Sequence, residues 1–144
     1  MVRTQDLAGN ARALWESIPF SRHLGIRVEE MADGRTRLSL SVRPELCNLA
    51  SSSVHGGVLS SLVDAAAGGA VLSLARSQAD YAGQTTAELN VSYLSAAPGR
   101  GELVAEGHVL RLGRTLAVAE AEVRTGEGEL VAKGRGTFMV WRKG

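Results

Sequence analysis

Scarcity sets the first limits. The chain has a single cysteine, Cys47, in 144 residues, so no internal disulfide is open to it. No C-x-x-C or Cys/His grouping offers zinc ligands either. A cytoplasmic protein without a metal or redox cofactor is expected. Aromatic residues make up 4% of the chain, too few for a stacking platform along single-stranded nucleic acid. The 16 Lys and Arg against 15 Asp and Glu leave a net charge of +1, which disfavours a broad phosphate-binding surface. No run of 18 uncharged apolar residues occurs, and Asp6 interrupts the position of a signal core. Neither a membrane span nor a leader is expected.

What is present suits one domain. A chain of this length buries roughly 68 to 70% of its extended surface on folding, and 44% hydrophobic with 22% charged residues supply such a core. Residues 1–144 are read as one domain, with 1–19 a leading helical segment. Two features stand out. There are 17 glycines, against a usual share of about 7%, and between Leu46 and Ala75 the only formally charged residue is Asp64.

Periodicity gives the element order. Leu7, Ala11, Leu14, Trp15 and Ile18 fit a helix over Gln5–Ser17 that Pro19 stops. Alternation over Leu24–Glu29 and Thr36–Val42, with a turn at Ala32–Arg35, predicts a β-hairpin. Pro44 to Val54 reads as a loop. Gly56 to Arg76 is the long helix, buried almost all round. Its Gly68-Gly69 pair costs about 1 kcal/mol per residue relative to Ala, so something must approach closely there, and a sheet wrapped around the helix is the natural candidate. Four strands follow, over Thr86–Tyr93, Leu103–Leu110, Leu116–Val123 and Leu130–Trp141. The fold class is α+β, an antiparallel sheet on one long central helix.

The segment Asn48-Leu49-Ala50-Ser51-Ser52-Ser53-Val54-His55-Gly56-Gly57 runs into this helix, and Asp64 follows His55 by nine residues. It resembles the hotdog-fold acyl-CoA thioesterases, above all their phenylacetate-pathway (PaaI-type) branch, in which His-Gly-Gly opens the central helix and an acid follows nine residues later. Phe20–Ile26, Glu88–Leu94 and His108–Ala117 resemble further stretches of the family, in the same order. The resemblance implies a hotdog fold, dimers often paired into tetramers, and sites at the subunit interface. It also implies that His55 positions the loop or substrate and is not the base. An Asn stands six residues before the His in this branch. Here that position is Leu49, and Asn48, seven before, is the candidate, with Ser51 to Ser53 as alternative hydroxyls. A related branch carries a Thr four residues after the acid, where this chain has Gly68. Another carries a Ser on the following strand, which corresponds to Thr86. The turn at Gly113-Arg114 falls near the family's coenzyme A channel, so Arg111, Gly113 and Arg114, with Lys133 and Arg135, are candidates for the phosphates.

Thioester hydrolysis makes its own physical demands. Charge developing on the carbonyl oxygen is stabilised by free N–H groups at a helix N-terminus, and at Gly56 and Gly57 no side chain would block the approach. A carboxylate must act as nucleophile or as general base, and Asp64 is the only acid in the region. Eight residues of helix separate Gly56 from Asp64 by about 12 Å, too far for both to serve one carbonyl. A second chain with an antiparallel helix would supply the missing partner.

The expectation is a homo-oligomeric acyl-CoA thioesterase acting on an aryl or medium-chain acyl group, with Asp64, Gly56, His55, Asn48 and Thr86 catalytic and Gly57, Arg111, Gly113 and Arg114 binding substrate. Val58, Ser61, Leu62 and Ala65 are expected to line the acyl pocket. The alternatives are a hotdog hydratase or dehydratase and a non-catalytic acyl-CoA-binding protein.

Overall fold

The computed structural model describes residues 11–49 and 52–144. Residues 11–16 are helical, and after a turn Pro19–Leu24 forms a second short helix, α1. Pro19 thus opens a helix as well as ending one, because its fixed φ and missing N–H suit a first helical position. The part of the expected leading helix before residue 11 lies outside the described residues. The hairpin follows as β1 (Ile26–Ala32) and β2 (Arg35–Ser41). Its two-residue turn, Asp33-Gly34, has positive φ at both positions, 51° and 80°, as the right-handed twist of a hairpin favours. A 3₁₀ turn at Pro44–Leu46 precedes the central helix, α2 (Gly56–Ala75). Four strands complete the chain: β3 (Tyr81–Tyr93), β4 (Glu102–Leu112), β5 (Leu116–Thr125) and β6 (Leu130–Arg142).

All six strands form one antiparallel sheet in the order β1-β2-β4-β5-β6-β3, and α2 lies on one face of it, as the hotdog resemblance implies. Strand β3 begins five residues earlier than the alternation predicted. Gly83 hid it: the register shifts between Tyr81 and Gly83 and again between Thr86 and Glu88, and each bulge breaks the period of two.

The sheet meets the helix over a floor of small side chains. A cross-strand row runs Gly107, Ala121, Gly134. A Cβ at Gly107 would stand 2.4 Å from the Ala66 carbonyl oxygen, and one at Gly134 2.7 Å from Val63 Cγ1. The helix therefore sits on the strand backbones, and Ala66, Ala67, Ala70 and Val71 are fully buried beneath it.

The closest approach of sheet to helix is thus made by glycines of the sheet, not by the Gly68-Gly69 pair. That pair does have a close neighbour. A Cβ at Gly68 would lie 3.3 Å from the rings of both Trp15 and Phe138, and one at Gly69 within 3.1 Å of Met31, Thr36 and Trp15. The Trp15 indole occupies the notch, and its N–H donates to the Ala65 carbonyl at 3.1 Å. Just after the indole, Glu16 accepts from the Val28 N–H at 2.9 Å and fixes the segment to β1.

Helix α2 is long and apolar enough to cross a membrane by length and composition, but it is the core helix and is mostly buried inside the fold. Among its less buried positions, Gly57, Ser60, Ser61, Asp64 and Ala65 recur at helical spacing on the side away from the sheet.

Candidate active site

The start of α2 is held by a short network. Cys47 and Val54 form an isolated antiparallel bridge. The Asn48 N–H donates to the Ser53 carbonyl (2.9 Å), the Val54 N–H to the Ala97 carbonyl (2.9 Å), and the His55 N–H to the Leu46 carbonyl (2.9 Å). The loop arrives at His55 in an extended conformation, φ −62° and ψ 136°, and His55 becomes the N-cap.

The cap divides the first N–H groups unequally. Nδ1 of His55 accepts from the Gly57 N–H at 2.8 Å, and the His55 carbonyl accepts from the Val58 N–H at 2.9 Å. The Gly56 N–H has no partner among the described residues. It is an orphan donor at the positive end of a 20-residue helix, which is the place and polarity for a developing oxyanion. Because Nδ1 accepts this bond, the ring N–H is assigned to Nε2. His55 thus occupies the neighbouring donor and leaves the Gly56 N–H without a partner among the described residues. A Cβ at Gly57 would stand 2.9 Å from Nδ1, so a side chain there would disturb the cap.

A cavity of about 380 Å³ opens in front of this N-terminus, lined by Asn48, Ser53, Gly56, Leu59, Tyr93 and Leu94 among others. The Asn48 amide donates to Ser53 Oγ at 2.8 Å and to the Val54 carbonyl at 3.4 Å. Asn48 therefore faces the groove despite standing one residue off the family pattern, and Ser53 holds its amide. Ser51 lies outside the described residues. Tyr93 had no predicted role: its ring lies 3.3 Å from where a Gly56 Cβ would be. An aromatic at a strand end opposite a helix-start glycine was the only signal for it.

Two turns further along α2, Thr86 Oγ1 donates to Asp64 Oδ1 at 2.7 Å. The hydroxyl comes from β3 and faces the helix because Thr86 pairs with Phe138, whose side chain fills the core. The next inward residue, Gln84, donates to the Gly68 carbonyl at 2.9 Å. Asp64 and Thr86 border a second cavity, of about 140 Å³, with Ser61, Ala65, Trp15, Ile18, Phe20, Ser21 and Ile26. Of the expected pocket residues, Ser61 and Ala65 line it. Val58 and Leu62 face the core, at 7% and 0% exposure.

The candidates thus fall into separate groups. His55, Gly56, Gly57 and Asn48 gather at the helix start; Asp64 and Thr86 lie on a different stretch of the same helix. Arg111, Gly113 and Arg114 lie elsewhere again. The third cavity, of about 330 Å³, includes Gly113 and Arg114 with Gln78, Asp80 and Arg142, and is at the far end of α2 from Gly56. There Asp80 pairs with Arg114 at 3.2 Å and Arg142 at 3.1 Å. Burial alone would raise the Asp80 carboxyl, but the charge of Arg142 and the charge and hydrogen bonds of Arg114 and Arg142 hold it below its ordinary value. Beside it, burial pushes the Tyr81 phenol up to about 12 against the opposing charge of Arg142. Arg111 is exposed at the same turn. Lys133 is engaged by Glu122 at 3.3 Å, and Arg135 is exposed on the outer face of the sheet, paired across β5 and β3 with Glu120 and Asn90. Among the described residues no group of three or more His, Cys, Asp or Glu side chains is placed to hold a metal ion.

Comparison with known proteins points one way. A family model described as thioesterase superfamily matches residues 52–132, the span from the loop before His55 through most of the sheet. The medium/long-chain acyl-CoA thioesterase YigI of Escherichia coli K12 is 33% identical over 135 residues, covering 85% of this chain and 86% of its own. Human acyl-coenzyme A thioesterase 13 is 32% identical over 136 residues, covering 93% and 94%. A thioesterase family protein from Silicibacter pomeroyi superposes with a TM-score of 0.84 at 28% identity, over 94% of this chain and 98% of the other.

Proposed function

The chain belongs to the thioesterase superfamily and is a thioester hydrolase, and we propose that it cleaves acyl-CoA thioesters to the free acid and coenzyme A in a site shared by two copies of the chain. The observation that carries this reading is the unpartnered Gly56 N–H at the start of α2, on a helix whose only carboxylate lies elsewhere, paired with Thr86.

The chemistry divides between the two groups. The thioester carbonyl oxygen sits on the Gly56 N–H of one protomer, where backbone dipoles already oriented toward it stabilise the oxyanion without reorganisation. Asn48 and His55 shape the mouth of that site. Asp64 of the other protomer attacks the carbonyl carbon or takes a proton from the attacking water, and Thr86 fixes which carboxylate oxygen is presented. The leaving thiolate of coenzyme A takes a proton and departs through the open groove, and an Asp64 that acted as nucleophile is released by hydrolysis.

The architecture supports a dimer of this kind. Strand β3 is at the sheet edge, 13 residues long, and among the described residues no strand lies beside its outer backbone groups. Long unprotected edges are templates for pairing. Adding a second β3 antiparallel would continue the sheet and set two copies of α2 antiparallel, with the stripe Gly57, Ser60/Ser61, Asp64 of each facing the other. Exposed Phe20, Tyr93 and Leu94, at 57%, 55% and 55%, border the same side. Further pairing into tetramers, a cytoplasmic location and a phosphate contact from Arg111 or Arg114 of the second chain belong to the same proposal. Thiol release from a panel of acyl-CoAs tests it: hydrolysis by the wild type and its loss in Asp64→Asn are expected, and undiminished turnover by that variant would remove Asp64 from the mechanism.

A further inference from the structure

The 140 Å³ cavity beside Asp64 has polar lining residues, Asp64, Thr86, Ser21 and Ser61, as well as apolar ones. The carbonyl carbon would be attacked at Asp64. Trp15, Ile18, Phe20 and Ile26 supply most of the apolar wall, and all four come from the segment before and at the start of β1.

Trp15 is the fixed part of that wall. Its N–H is satisfied by the Ala65 carbonyl at 3.1 Å, so the indole turns no unpaired polar group to the cavity. Its ring sits in the notch that Gly68 and Gly69 leave, within 3.1 to 3.4 Å of where their Cβ atoms would be. Two interior glycines are costly in a helix, and here they seat an aromatic ring next to the catalytic acid. Ile26 is 6% exposed and locked in the core, whereas Phe20 is 57% exposed at the rim. An apolar cavity of ~150 Å³ takes one benzene ring, and this one is of that size.

We infer that this cavity receives the acyl group, that Trp15 closes it, and that the protein therefore selects compact acyl groups, an aryl ring or a chain of about six carbons. The inference rests on the thioesterase reading and gives that site its substrate class. A longer chain has to displace the indole from the glycine notch, and Trp15 is the specificity-determining residue.

Steady-state hydrolysis of phenylacetyl-, hexanoyl-, decanoyl- and dodecanoyl-CoA by the wild type, Trp15→Leu and Trp15→Phe tests this, each variant checked for folding by its melting curve. The wild type is expected to favour phenylacetyl and hexanoyl groups. The ratio of kcat/KM for dodecanoyl over hexanoyl is expected to rise at least tenfold in Trp15→Leu. Trp15→Phe, which keeps an aromatic ring in the notch and is the milder change, is expected to move the ratio in the same direction. A wild type that prefers dodecanoyl-CoA, or a ratio that stays within twofold in both variants, overturns the pocket assignment while leaving the thioesterase reading intact. Failure of the wild type to hydrolyse any of the four overturns that reading, and this inference with it.

Discussion

Thr86 Oγ1 and Asp64 Oδ1 are 2.7 Å apart across the gap between β3 and α2, and this bond ties the acid to the edge strand. A carboxylate with one oxygen occupied by a hydroxyl keeps the other available, and the proposed mechanism uses that one. Asp64→Asn is expected to lower kcat by at least ~10²-fold, the scale of positioned acid–base catalysis, with the oligomer intact by light scattering. Thr86→Ala is expected to lower kcat less, by about tenfold, with KM unchanged, and Thr86→Ser to restore most of it. Equal kcat in Thr86→Ala and the wild type would reduce the bond to a structural one.

The Gly56 N–H can be removed almost alone. Gly56 is the first helical residue, where proline is tolerated, and His55 already has the extended φ and ψ of −62° and 136° that a residue before proline adopts. Gly56→Ala keeps the N–H and adds the same Cβ, 3.3 Å from Tyr93. The ratio of kcat between the two variants therefore isolates the donor, and Gly56→Pro is expected to be slower than Gly56→Ala by about 10²–10³-fold, as for loss of one oxyanion donor. Equal rates would place the oxyanion elsewhere.

His55 acts on the same donor set through its cap. His55→Ala leaves the Gly57 N–H unpaired and is expected to cost about 1 kcal/mol in denaturant unfolding. His55→Asn, with an oxygen to accept the same bond, is expected to recover most of that. A proton-transfer role would make both variants equally inactive, whereas a positioning role predicts that activity returns with the cap.

The cluster at the far end of α2 gives the fold a pH response. The native Asp80 carboxyl titrates below its ordinary value of 3.8, so the native state gives up this proton more readily than the unfolded chain does. Its contribution is complete above pH 3.8 and disappears as pH falls through the native value. The stability difference between wild type and Asp80→Asn, measured by urea unfolding, is expected to be constant from pH 7 to 5 and to shrink below 3.8. On the alkaline side the native Tyr81 phenol keeps its proton to about 12. Stability is then lost as pH rises from 10, and Tyr81→Phe should flatten that limb.

The start of α2 was legible because its signals are local. A polar loop, His-Gly-Gly and an apolar run lie within twenty residues, and capping is a short-range event. The strand that carries Thr86 was legible in part: alternation located Thr86–Tyr93, but the bulges around Gly83 and Ala87 concealed its first five residues. What the chain pattern could not carry is contact at long separation. The Gly68-Gly69 pair announced a close approach by the sheet, and Met31, Thr36 and Phe138 do meet it, but it gave no sign of Trp15, which lies over fifty residues away and reaches the notch only after β1 and β2 have turned the chain. Gly107 and Gly134 gave no sign of meeting α2, because an inward glycine and an outward one look alike in a strand. The Asp80–Arg114–Arg142 cluster joins two connections and the end of β6, far apart in the chain, and was invisible for the same reason.

The proposed division of the site between two chains has a consequence that neither half-site variant shows alone. Asp64→Asn protomers retain Gly56, and Gly56→Pro protomers retain Asp64. When equal amounts are unfolded and refolded together, half of the dimers are mixed, and each mixed dimer has one site with both groups intact and one with neither. Activity is then expected to return to about a quarter of the wild-type value from two inactive parents. A site built within one chain predicts no recovery, since every chain has a lesion. The two α2 helices would in that case not be antiparallel partners across β3, and Gly56 and Asp64 would have to be joined by a movement of the chain that its 20-residue helix does not permit.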